Sequence, residues 1–127
     1  MFQMEAIDHV ALLVQDMERA VQWYREVLGM ERRYQDVWTG KRDPVVMATG
    51  NVQVALFLPA QPEQSRPHDL NEHFAVRVDR ANFDQACLEL EKRSIAFKVW
   101  NHKICLSLYF FDLDGNQIEV TTFSVPS

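Results

Sequence analysis

The sequence predicts an α+β fold: two tandem βαβββ modules forming a curved mixed sheet around a concave cleft, with the helices on the outer face. Three observations point to it. Alternating runs at 5–14 and 72–78 are each followed by an aspartate, Asp16 or Asp79, and then by apolar residues at helical spacing. Three further strand-like runs follow each helix. Finally, His9-Val10-Ala11 matches His73-Phe74-Ala75 at a shift of 73 − 9 = 64 positions, which also lays Gln53-Val54-Ala55-Leu56 on Gln117-Ile118-Glu119-Val120.

Each element has its own signal. In 5–14, Val10, Leu12 and Val14 share one face, and His9, Ala11 and Leu13 the other. Asp16 suits a helix N-cap, Ala20, Val21, Tyr24, Val27 and Leu28 form an apolar stripe, and Gly29 suits a left-handed C-terminal residue. Strands are expected at 31–38, 44–49 and 52–59, the last two joined through Gly50-Asn51. Gln61–Asn71, with Pro62 and Pro67, reads as the one long connection. In the second module, Phe74, Val76 and Val78 face opposite to His73, Ala75 and Arg77, and Asp79 caps a helix that turns Phe83, Ala86, Cys87 and Leu90 inward. Strands at 95–100, 104–111 and 117–123 complete it, the last two joined by Asp112-Leu113-Asp114-Gly115-Asn116. The expected organisation is one domain over residues 1–127, with module one at about 5–59, a linker at 60–71 and module two at about 72–123.

Composition narrows the function. A chain of 127 residues, 47% hydrophobic and 24% charged, is long enough to bury a core. Its formal net charge of −5, with no cluster of Lys and Arg, argues against nucleic acid. No apolar run is long enough to cross a bilayer, and residues 1–5 lack the features of a signal peptide. Cys87 and Cys105 lack metal-site spacing, which suits a reduced, cytoplasmic chain.

The duplication makes His9 equivalent to His73 and Ala55 equivalent to Glu119. Glu119 shares a strand face with Gln117 and Thr121, away from the apolar Ile118 and Val120. If all three project from the concave side, two imidazoles and one carboxylate form the facial triad suited to divalent transition metals, with coordination positions left open. A cation would also pair the otherwise lone carboxylate.

Three segments carry a family resemblance over nearly the whole chain: IDHVALLVQDMERAVQWYREVLGM at 7–30, EHFAVRVD at 72–79 and SLYFFDLDGNQIEVTT at 107–122. With them the sequence resembles the vicinal oxygen chelate superfamily, which includes glyoxalase I, extradiol dioxygenases, fosfomycin-resistance enzymes and bleomycin-resistance proteins. The resemblance implies His9, His73 and Glu119 as metal ligands. It places Ala55 where glyoxalase I carries a glutamate ligand and base, and a methyl group can serve as neither. Ser107 and Tyr109 match positions that help hold substrate in the fosfomycin enzymes. Tyr109 and His102 are the candidate proton-transfer residues, and Trp38, Phe57 and Trp100 the candidate pocket aromatics. Each also has a plainer reading, as core, rim or solvated residue.

The implied cofactor is Fe2+, Mn2+, Ni2+ or Zn2+, and the implied partners are a small-molecule substrate and a second copy in a homodimer. Three ligands without the glyoxalase base lean toward dioxygenase chemistry. A lyase or thiol transferase, and a metal-free protein sequestering a small molecule or antibiotic, are the alternatives.

Overall fold

A computed structural model describes residues 1–61 and 72–125. Most of the expected linker, with Pro62, Pro67 and His68, lies outside the described residues. The chain divides into two compact units, Met1–Ser65 and Arg66–Ser127. Each contains one βαβββ module and one four-stranded mixed sheet.

In the first unit, β1 (Val10–Leu13), α1 (Met17–Leu28), β2 (Glu31–Arg33), β3 (Val45–Thr49) and β4 (Val52–Phe57) form a sheet of order β1-β4-β3-β2, with β1 parallel to β4. Asp16 accepts from the Arg19 N–H at 3.1 Å, satisfying a donor that the helix start would otherwise leave unpaired. Gly29 ends α1 at φ 65°, a left-handed conformation cheap only for glycine. Tyr24 and Ala20 are the buried residues of the helix, and they belong to a core with Val14, Met30, Met47, Val54 and Leu56.

In the second unit, β5 (His73–Arg77), α2 (Arg80–Lys92), β6 (Lys98–Asn101), β7 (Leu106–Phe111) and β8 (Gln117–Thr122) repeat the arrangement as β5-β8-β7-β6. Asp79 caps α2 through the Asn82 N–H at 2.8 Å. Phe83 and Leu90 are buried with Leu108, Phe110, Ile118 and Val120.

The repeat extends to register. Ala11, Ala55, Val46 and Arg33 lie in one row across the first sheet; Ala75, Glu119, Tyr109 and Lys98 lie in the corresponding row of the second. Partners in a ladder point to the same face. Thus Glu119, Tyr109 and Lys98 share the face opposite to that of the buried Ile118, Val120 and Leu108.

Some expected strands are shorter than their sequence pattern. Residues 5–9 form no strand, and pairing begins at Val10. The run at 31–38 stops at Arg33: Tyr34 has φ 64°, and its carbonyl accepts from the Val37 and Trp38 N–H groups, turning the chain back. The run at 95–100 pairs only from Lys98, and 104–111 only from Leu106, because residues 102–105 are taken up in the tight connection before it.

The β7–β8 connection is built by its own side chains. The Asp112 carboxylate accepts from the backbone N–H groups of Asp114 and Asn116 and from the Asn116 side-chain amide, all at 2.8 Å, while Gly115 takes φ 81°. Asp112 and Asn116 are both 8% exposed. Asp112→Ala should therefore cost about 3 kcal/mol, since three charge-assisted bonds go and the Asn116 N–H is left buried. Urea unfolding reads this directly. A change below about 0.5 kcal/mol, the range of an ordinary surface substitution, would show that the turn holds without the carboxylate.

Candidate metal and substrate site on the second module

β5 presents His73, Ala75 and Arg77 to one face, all more exposed than Phe74 and Val76 on the other. The parallel register sets His73 opposite Gln117 and Ala75 opposite Glu119. This stagger brings the His73 ring diagonally to Glu119, with Nε2 2.8 Å from Oε1. The other carboxylate oxygen, Oε2, accepts from the Ser107 hydroxyl at 2.7 Å. Ser107 Oγ is also 2.9 Å from Thr121 Oγ1, and Thr121 Oγ1 lies 3.3 Å from the Leu106 carbonyl. Ser107 is fully buried and Glu119 is 9% exposed.

Tyr109 stands directly across the ladder from Glu119. Burial first, and then the negative charge of Glu119, raise its phenol above the ordinary tyrosine value. The phenol therefore stays protonated at neutral pH, and its oxygen pairs with His102 Nε2, 2.8 Å away. His102 sits in the β6–β7 connection, where the left-handed Lys103 at φ 76° and a hydrogen bond from the Lys103 N–H to Asn101 Oδ1 fold the ring back toward β7. The His73 and His102 rings meet Tyr109 edge-on, with centroids 5.9 and 6.2 Å away.

The remaining expected residues fall as follows. Trp100 is 64% exposed on the edge strand β6, in register with Ser107 and on the same face. Trp38 and Phe57 belong to the first unit, where Trp38 packs against Tyr34 with centroids 5.1 Å apart and Phe57 ends β4, half-buried. His9, also in the first unit, is held through Nδ1 by the Asp8 carboxylate at 2.8 Å, which leaves Nε2 as the nitrogen able to bind a ligand. Ser107, the other residue matched to a substrate position, is fully buried with its hydroxyl on the carboxylate. Period two from Glu119 places Thr121 and Gln117 on its face, but sequence reasoning gave neither a role. The side-chain oxygen of Gln117 is sealed from solvent and has no hydrogen-bond partner. Its counterpart Gln53 has both ends engaged: Oε1 accepts from Arg33 at 3.0 Å, and Nε2 donates to the Asp8 carbonyl at 2.9 Å.

Among the described residues no group of three His, Cys, Asp or Glu side chains is assembled. The His73–Glu119 pair stands at a hydrogen-bonded ion-pair distance, a spacing that two ligands of one cation also adopt. Two ligands at right angles, each about 2.1 Å from a metal, stand about 3 Å apart. The observed 2.8 Å matches that spacing.

Residues 6–120 match the model of the Glyoxalase/Bleomycin resistance protein/Dioxygenase superfamily. The chain belongs to that superfamily. Among characterised proteins it is similar to the glutathione transferase FosA of Serratia marcescens, 24% identical over 119 residues that cover 92% of this chain and 80% of the relative. It is similar to the metallothiol transferase FosB of Staphylococcus epidermidis at 24% identity, covering 91% and 80%. Among solved structures, a glyoxalase family protein from Bacillus anthracis superposes with a TM-score of 0.80 at 24% identity over 98% of this chain and 99% of that one. The fosfomycin resistance protein FosX of Mesorhizobium loti superposes with a TM-score of 0.68 at 20% identity, covering 97% and 96%. No helix among the described residues is long and apolar enough to cross a membrane.

Proposed function

We propose that this chain is a metal-dependent enzyme that holds a divalent cation (Fe2+, Mn2+, Ni2+ or Zn2+) with His73 and Glu119 and transfers a thiol to a small, oxygen-bearing electrophile. The 2.8 Å pairing of His73 Nε2 with a carboxylate oxygen, on a face that also carries Tyr109, is the observation behind the reading. His9, the third donor that the sequence implies, lies in the first unit. A homodimer belongs to the same reading, supported by the uncovered side chains of Phe2, Met4 and Ile7, each at least 79% exposed. The choice of thiol transfer over dioxygenation, toward which the ligand count and Ala55 lean, rests on the similarity to two thiol transferases.

When bound, the cation supplies Lewis-acid stabilisation of negative charge on a substrate oxygen. The chain's own residues do the rest. Attack by a thiolate forms a sulfur–carbon bond and breaks a carbon–oxygen bond, and the released oxygen needs a proton. Tyr109 is the donor, with His102 as the group that returns the proton to the phenol. Trp100 offers an apolar wall beside them. A small turn about the Gln117 amide torsion, which is broad, lets its open acceptor meet a substrate O–H or N–H.

The test begins with metal content in protein purified without chelator, beside His73→Ala. Free-thiol consumption is then followed with glutathione and fosfomycin as the epoxide probe, and oxygen uptake with catechol. Metal in the wild type alone, with thiol loss, supports the reading. Equal metal in both proteins removes the site, and oxygen uptake without thiol loss assigns the chemistry to dioxygenation. Ligand binding that survives EDTA without turnover would make the protein a sequestering module.

A further inference from the structure

We propose that Ser107, backed by Thr121, is a positioning residue that gives the two oxygens of Glu119 different tasks: Oε2 is held from behind so that Oε1 is presented to the cation. This inference rests on the metal reading above and assigns the residues that aim the carboxylate.

Proton counting carries the argument. A serine hydroxyl has one proton to donate, and Ser107 Oγ has Glu119 Oε2 at 2.7 Å, Thr121 Oγ1 at 2.9 Å and the Tyr109 phenol within reach. The ionised carboxylate is the stronger acceptor, so the proton goes to Glu119. Ser107 Oγ is then left to accept, and Thr121 can donate to it at 2.9 Å, the shorter of that hydroxyl's two contacts, the other being the Leu106 carbonyl at 3.3 Å. The chain runs one way, from Thr121 through Ser107 to Glu119. All three residues are at most 9% exposed, so water does not compete for these bonds. With Oε2 committed, only Oε1 remains on the His73 side, 2.8 Å from Nε2.

The first module acts as an internal control. The repeated register sets Val46 and Ala55 where the second module has Tyr109 and Glu119. Two residues away along the chain, Pro44, just before β3, and Phe57, the last residue of β4, occupy the places of Ser107 and Thr121. Where the carboxylate is absent, both hydroxyls are absent too. Sheet geometry alone does not demand them, since β3 and β4 pair without them.

The experiment titrates metal-free protein with Co2+ alone, reading affinity and the visible absorption that reports ligand geometry. Ser107→Ala should weaken Co2+ binding about 10–100-fold, the usual effect of removing a hydrogen-bond partner from a metal ligand, and should alter the spectrum. Thr121→Val, which keeps the side chain's shape, should weaken it less. Ser107→Thr, which keeps the hydroxyl, should restore most of the affinity. Melting of the metal-free proteins separates this from a packing defect: a lower melting temperature with wild-type Co2+ affinity and spectrum would make Ser107 merely structural and overturn the proposal. Should Ser107→Thr fail to fold, Thr121→Val still decides, because wild-type binding by that variant contradicts the one-way chain. A wild type that takes up no Co2+ overturns the metal reading and the positioning role together; a binding wild type matched by Ser107→Ala overturns the positioning role alone.

Discussion

Glu119→Gln should lose divalent-cation binding almost entirely while keeping the fold. The amide has the carboxylate's shape, and its oxygen can still accept from Ser107. That hydrogen bond fixes the amide oxygen at the Oε2 position, now 2.7 Å from the hydroxyl, and so turns the NH2 group toward His73. A donor then stands where the cation needs an acceptor, and the negative charge is gone. The loss of affinity should exceed the ~10–100-fold attached to a ligand's hydrogen-bond partner, because a ligand itself is removed. Stability should move by no more than about 1 kcal/mol, since a neutral bond to Ser107 replaces a charge-assisted one. Metal analysis after dialysis against Zn2+, together with urea unfolding, checks both halves. Full metal occupancy in a folded Glu119→Gln protein would remove Glu119 from the ligand set.

Tyr109→Phe should lower kcat about 10²–10³-fold and leave KM nearly unchanged, as expected when a group donates a proton chiefly in the transition state. The phenyl ring keeps the edge-on packing against His73 and His102, with centroids 5.9 and 6.2 Å away, so the change isolates the hydroxyl. His102→Gln should produce a smaller fall, because Tyr109 keeps its own proton and loses only its 2.8 Å partner. Metal content should stay at the wild-type level in both variants. A Tyr109→Phe enzyme with unchanged kcat would leave the phenol as packing, and a defect confined to KM would make it a substrate contact. Thiol consumption with glutathione and fosfomycin, followed against substrate concentration, separates the three outcomes.

The family resemblance drew much of its specificity from 107–122, and the structure divides that segment into two kinds of residue. Asp112, Gly115 and Asn116 build the turn, whereas Ser107, Tyr109, Glu119 and Thr121 form the polar cluster on the sheet face. A sequence motif mixes the two because both are local constraints on the same hairpin. The difference shows only in where each hydrogen bond ends.

Period two and period 3.6 were enough to find both helices with their aspartate caps, the faces of the strands and the duplication itself. Those are properties of neighbouring residues, so they are written in local order. They placed His73 and Glu119 on faces turned away from the core, and no further. Only the tertiary structure decided the one-step stagger between β5 and β8 that brings His73 to Glu119, because parallel strands far apart in sequence take their register from packing. It likewise decided that Ser107 lies behind the carboxylate, and that the His102 ring folds back onto Tyr109. A hydroxyl's partner is chosen by what lies across the sheet, which no periodicity along one strand records.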